Sequence, residues 1–64
     1  MILNGTDVTF EGNVADLVAD RFGVGAGRGI AVAVNGTVVA RSVWATTALF
    51  DSDRVDMVTA VQGG

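Results

Sequence analysis

The sequence has 64 residues, half of them hydrophobic, and a formal net charge of −3 at neutral pH. That length gives one domain, residues 1–64, whose folding hides only roughly 60% of the surface its unfolded chain exposes. Four arginines against seven acids, with no lysine, histidine or cysteine, exclude a basic nucleic-acid-binding face, disulfide staples, a cysteine nucleophile and the usual zinc sites.

The longest apolar run, Ile30-Ala31-Val32-Ala33-Val34, falls far short of the ~18 to 20 residues of a membrane helix. No basic-then-apolar leader opens the sequence, so a cytoplasmic address is expected, with no membrane and no nucleic acid among the partners. Val and Ala dominate, and the aromatics are Phe10, Phe22, Trp44 and Phe50 alone. The core is therefore expected to be built from small branched side chains, which favour strands.

Met1 to Asn4 begins apolar and runs into Asn4-Gly5, a hairpin signal because both residue types tolerate positive φ. Val8-Thr9-Phe10 alternates apolar and polar, so strand 1 (1–4) and strand 2 (8–10) are expected to pair antiparallel. Asn13 is a good helix N-cap, and Asp16 falls at the third helical position, where the helix dipole favours negative charge. Val14, Leu17, Val18 and Phe22 recur at helical spacing and predict an amphipathic helix over 14–22, closed by Gly23 as a left-handed cap.

Gly23 to Gly29 is rich in glycine, but neither register gives G-x-G-x-x-G and there is no Walker lysine. The stretch also leaves a helix and enters a strand, the reverse of a phosphate loop, so it reads as a connection. Ile30 to Val34 and Thr37 to Arg41 flank Asn35-Gly36 and predict a second hairpin. Ser42 to Phe50 has no clean period and reads as a crossover with a short helical turn near Trp44, returning Leu49 and Phe50 to the core. Asp51-Ser52-Asp53-Arg54 is a polar turn that lacks the Gly and Glu of a calcium loop, so no metal is expected. The last strand is expected over Val55 to Val61.

The element order ββαββ-β makes an α+β domain with a five-stranded mixed sheet. The helix must lie across one face, with the first and last strands parallel at the sheet centre. The tail Gln62-Gly63-Gly64 then leaves a central strand. A C-terminal glycine sets no side chain beside its carboxylate, an anion at neutral pH given an ordinary pKa of about 3.5. A flexible diglycine tail of this kind suits an enzyme that draws the carboxylate into a narrow site; the alternative is a frayed end.

Val34-Asn35-Gly36 with Val39, Arg41 and Trp44, then Asp51-Ser52-Asp53-Arg54-Val55, then Gly63-Gly64, resembles the ThiS-like sulfur carriers of the ubiquitin-like β-grasp superfamily. The resemblance is specific over residues 32–64 and rests on pattern and length over 1–31. Ala40 stands where the family often has Pro, and Ser52 where its turn usually has Gly.

The resemblance implies that the Gly64 carboxylate is adenylated by an E1-like (ThiF-like) adenylyltransferase and then converted to a thiocarboxylate. The sulfur would come from a donor system and pass to a ThiG-like thiazole synthase for thiamine biosynthesis. The chain itself would be a covalent co-substrate and not an enzyme. It would bind no cofactor, since ATP is used by the activating partner. Lacking His, Cys and Lys, it has none of the commonest general bases or covalent nucleophiles.

Trp44 reads as a cap over the core or as a docking residue. Arg41 reads as a solvated strand end or as the partner of a carboxylate on another protein. Val58 is expected on the open sheet face near Val32 to Val34, as part of a docking patch, if Val55 and Met57 face the helix. Two other functions fit the same sequence: the molybdopterin synthase small subunit or another pathway's sulfur carrier, and a non-conjugating β-grasp interaction module.

Overall fold

The computed structural model describes residues 1–25 and 28–59. Strand β1 (Ile2–Leu3) turns through Asn4-Gly5 into β2 (Thr6–Asp7). Asn4 and Gly5 have φ of 49° and 82°, the positive pair that a two-residue hairpin loop with native twist requires. Because the loop is only two residues long, pairing resumes at once, with Leu3 opposite Thr6 and Ile2 opposite Asp7. The second strand therefore starts at Thr6 and not at Val8 as expected. Val8 closes the ladder by bonding Met1 in both directions, at 2.8 and 3.0 Å, and Thr9 and Phe10 lie beyond it.

Helix α1 (Val14–Phe22) has the predicted bounds. The Asn13 side chain accepts from the Asp16 N–H at 2.8 Å, and the Asp16 carboxylate accepts from the Asn13 N–H at 2.9 Å. This reciprocal capping box satisfies two N–H groups at the helix start. Val14 gives its N–H to Thr47 O at 3.0 Å, and Leu49 gives its N–H to Gly12 O at 3.0 Å, so the crossover is laced to the start of the helix.

Two expectations at the other end fail. Gly23 has φ 103° and ψ 154°, a positive-φ conformation outside the left-handed helical well, and its N–H still reaches Ala19 O. Phe22 is 43% exposed. A four-residue step advances about 40° around the helix, so Phe22 sits about 80° from Val14, at the rim of the apolar stripe.

Strand β3 (Ile30–Val34) and strand β4 (Thr37–Val38) join through Asn35-Gly36, again with paired positive φ. Regular pairing in β4 ends at Val38, short of the expected Arg41, although Val39 still donates to Val32 O at 2.8 Å. The irregular stretch is a 3-10 segment, Arg41–Thr46, centred near Trp44 as expected. Leu49 returns to the core, but Phe50 does not and is 65% exposed. The Phe50 backbone is held in the next turn by Asp53, whose carboxylate accepts the Phe50 N–H and whose N–H donates to Phe50 O. That turn carries the Phe50 ring away from Leu49.

Strand β5 (Arg54–Thr59) is one residue earlier at its start than expected, and the expected end at Val61 lies outside the described residues. The sheet order is β2-β1-β5-β3-β4, with β1 and β5 parallel at the centre and β3 antiparallel to β5. This is the expected β-grasp sheet. The helix covers one face, where Leu17, Val14, Val18, Val32 and Val55 lose essentially all contact with water. Each such side chain contributes about 1.5–3 kcal/mol by leaving solvent.

Candidate docking face and C-terminal arm

Side chains alternate across a strand, so the register fixes which residues share the uncovered face. Leu3, Val32, Val55 and Met57 are buried on the helix side. The open face is therefore built from Ile2, Ala31, Ala33, Val38, Arg54, Asp56 and Val58, given the pairs Ile2–Arg54, Ala33–Asp56, Ala33–Val38 and Ala31–Val58. Val58 is 61% exposed, Val38 74% and Ile2 37%. Ala31 opposite Val58 keeps the surface low beside it, so an apolar partner side chain has room to settle there.

Val58 lies on the open face as expected, with Val55 and Met57 turned to the helix. Of the expected neighbours, Ala33 does and the two valines do not. Val32 pairs with Met57 and is buried, and Val34 pairs with Val55 on the same covered side. The companions of Val58 are Ala31 and, farther along, Ala33, Val38 and Ile2.

Trp44 is only 5% exposed, and its indole N–H donates to Val39 O at 2.9 Å. It closes one end of the core on the helix side, as the cap reading expects. Arg41 is exposed at the start of the 3-10 segment, beyond edge strand β4. Among the described residues it forms no ion pair; the acids that do are Asp7, with the Met1 amine, and Asp20, with Arg21. The three expected docking residues thus do not share one surface. Gln62, Gly63 and Gly64 lie outside the described residues.

No cluster of acidic or other ligating side chains able to hold a metal is present among the described residues, and no helix there is long and apolar enough to cross a membrane. One side chain beyond the expected set holds β5. Asn4 accepts from the Met57 N–H at 2.8 Å and donates to Met57 O at 3.1 Å, across 53 positions of sequence. The Asn-Gly pair signalled the turn but carried no sign of this long-range contact.

The crystal structure of a thiamine biosynthesis protein (ThiS) from Geobacter metallireducens is similar to this chain, with a TM-score of 0.72 and 27% sequence identity. The match covers 98% of this chain and 96% of that one. Among curated protein sequences none matches. The family model described as "ThiS family" matches residues 1–64. The match spans the helix, both Asn-Gly hairpins, the central parallel strand pair and the diglycine, and on it this chain belongs to the ThiS family.

Proposed function

We propose that this chain is a sulfur carrier of thiamine biosynthesis whose C-terminal Gly64 carries the sulfur. The observation that supports it most is the family match over residues 1–64, which takes in Gln62-Gly63-Gly64. The carboxylate oxygen of Gly64 attacks the α-phosphorus of ATP in the active site of an E1-like adenylyltransferase. Pyrophosphate leaves and an acyl adenylate forms. A sulfur nucleophile at the sulfide level then attacks the acyl carbon, the C–O bond to AMP breaks, and a terminal thiocarboxylate remains. Thiazole synthase takes that sulfur.

In this scheme the chain contributes position and access. Glycine at the last two places leaves the carbonyl unshielded, and the absence of lysine leaves no side-chain amine to capture the activated carboxyl. The open face, with Val58 near the C-terminal end of β5, is the surface that the activating enzyme holds. ATP binds to that enzyme and not to the carrier. A cytoplasmic address accords with this scheme.

The test exploits the missing cysteines. The chain is isolated from cells co-expressing an adenylyltransferase of this kind, treated with a thiol-selective alkylating reagent, and analysed by intact mass and fragmentation. An adduct confined to Gly64 is the expected result. Fragmentation is essential, since oxidation of Met1 or Met57 adds nearly the mass of an oxygen-to-sulfur exchange. A terminus that stays unlabelled with ATP, activating enzyme and sulfur source present overturns the proposal. Appending one residue after Gly64 is expected to abolish labelling without altering thermal stability.

A further inference from the structure

Strand β5 is held unequally on its two sides. Toward β3 it is paired from Val55 to Thr59. Toward β1 the pairing covers only Arg54 and Val55, because β1 ends at Leu3 and the chain turns away at Asn4-Gly5. The parallel ladder runs Ile2 N–H to Asp53 O, then Asn4 N–H to Val55 O. The next position up β5 is Met57, where no β1 backbone remains. The Asn4 carboxamide takes its place, as acceptor to the Met57 N–H at 2.8 Å and donor to Met57 O at 3.1 Å.

A carboxamide reproduces both halves of a peptide group, one acceptor and one donor. Aspartate lacks the donor and serine has a single polar atom. Asn also tolerates the φ of 49° that the turn demands. One residue therefore shapes the hairpin and lengthens β1 by one rung.

The other Asn-Gly turn gives an internal comparison. Asn35 accepts from the Arg54 N–H and donates to the Asp53 carboxylate, both at 2.9 Å. It pins the start of β5, whereas Asn4 pins the strand near its end, seven residues before Gly64.

We propose that Asn4 is a positioning residue for the carboxyl-terminal arm: its carboxamide holds Met57, and so fixes the point from which the arm reaches into the activating enzyme. This rests on the carrier reading given above. An arm whose base has frayed must be ordered again each time it is bound. Ordering the backbone of one further residue reduces productive binding by about 5–30-fold. The loss falls on binding and not on the chemical step, so KM for the carrier rises while kcat stands.

The test compares Asn4→Gly with Asn35→Gly. Each puts Gly-Gly in the turn, which accepts the same positive φ, and each removes one carboxamide with its two bonds. Amide hydrogen exchange at Met57 and steady-state sulfur loading by the activating enzyme are measured alongside global unfolding. The expected result is faster Met57 exchange and a KM raised about 5–30-fold for Asn4→Gly. Asn35→Gly is expected to be destabilised to a similar degree with KM unchanged. Asn4→Asp, which keeps the acceptor but not the donor, is expected to fall between wild type and Asn4→Gly.

Equal KM increases in the two glycine variants would show that stability alone is at work and overturn the positioning role. So would unchanged Met57 exchange in Asn4→Gly. A wild-type chain that takes no sulfur overturns the carrier reading and the arm's role with it, a result distinct from a loaded wild type whose two variants fail alike.

Discussion

Replacing Gly12 by Ala tests whether the helix start is as tightly drawn as the geometry indicates. Gly12 has φ +143°, a backbone conformation that other L-residues enter at a cost of about 1–3 kcal/mol. A Cβ there would also meet Asp16 Oδ2 at 2.8 Å, Asp16 Cβ at 3.0 Å and Phe10 Cε2 at 3.2 Å. The carboxylate can swing aside, but only by giving up its bond to the Asn13 N–H, worth about 0.5–1.5 kcal/mol. Together these predict a loss of about 2–4 kcal/mol.

At about 0.05–0.15 kcal/mol per residue the whole domain holds only about 3–10 kcal/mol, so the variant should lose a large fraction of it. Gly36→Ala is the control. It shares positive φ, at +84°, but a Cβ there meets nothing within 4 Å, so it bears strain alone. Urea unfolding followed by the fluorescence of the single, buried Trp44 measures both. In an Asp16→Ala background the cost of Gly12→Ala should shrink by about 1 kcal/mol, the coupling of two groups in contact. A Gly12→Ala no worse than Gly36→Ala, or a cycle that is simply additive, would refute the steric reasoning.

Trp44→Phe keeps an aromatic ring but leaves Val39 O without its donor, and should cost about 1–3 kcal/mol by thermal melting followed with circular dichroism. Asn13→Ala should lose about 1–2 kcal/mol with the cap, while Asn13→Asp keeps the acceptor for Asp16 N–H and sacrifices only the bond to Ala45 O; ordered melting temperatures, with Asp between wild type and Ala, would bear this out. Val58→Thr preserves shape and branching and should leave stability within about 0.5 kcal/mol. If Val58 is buried by the activating enzyme, its new hydroxyl costs about 1–3 kcal/mol of binding, read as a higher KM at constant kcat; unchanged KM would remove Val58 from the docking face.

Local chemistry explains which elements could be read in advance. Asn13, Asp16 and the apolar spacing defined α1 because capping and amphipathicity are written within a few residues. Both Asn-Gly turns were legible for the same reason, and the ββαββ-β order then forced β1 beside β5. Phe22 and Phe50 misled because hydrophobicity does not tell a residue at the rim of a stripe from one inside it. Strand ends drifted because a two-residue loop fixes register immediately, whatever alternation follows. On the open face, Val58 was placed by period-two alternation, whereas its companions needed the pairing of β3 with β5. The contact of Asn4 with Met57 depends on where a parallel strand stops, which no local pattern encodes.

The two turns also set a chemical clock. Asn followed by Gly is prone to cyclise: the glycine nitrogen attacks the side-chain carbonyl carbon, ammonia leaves, and water opens the succinimide to aspartate or isoaspartate. Both carboxamides here are engaged at the oxygen and the nitrogen, Asn4 with Met57 and Asn35 with Asp53 and Arg54. Neither can rotate over the following N–H without breaking its bonds, so ageing should proceed through local opening and run faster in urea than in the native state. Peptide mapping for a gain of about one dalton at each site would show it. Hydrolysis to an acidic residue would also discard the donor that Asn4 gives to Met57 O in β5 and the one that Asn35 gives to the Asp53 carboxylate just before it, so the first chemical injury to this chain is expected to loosen β5.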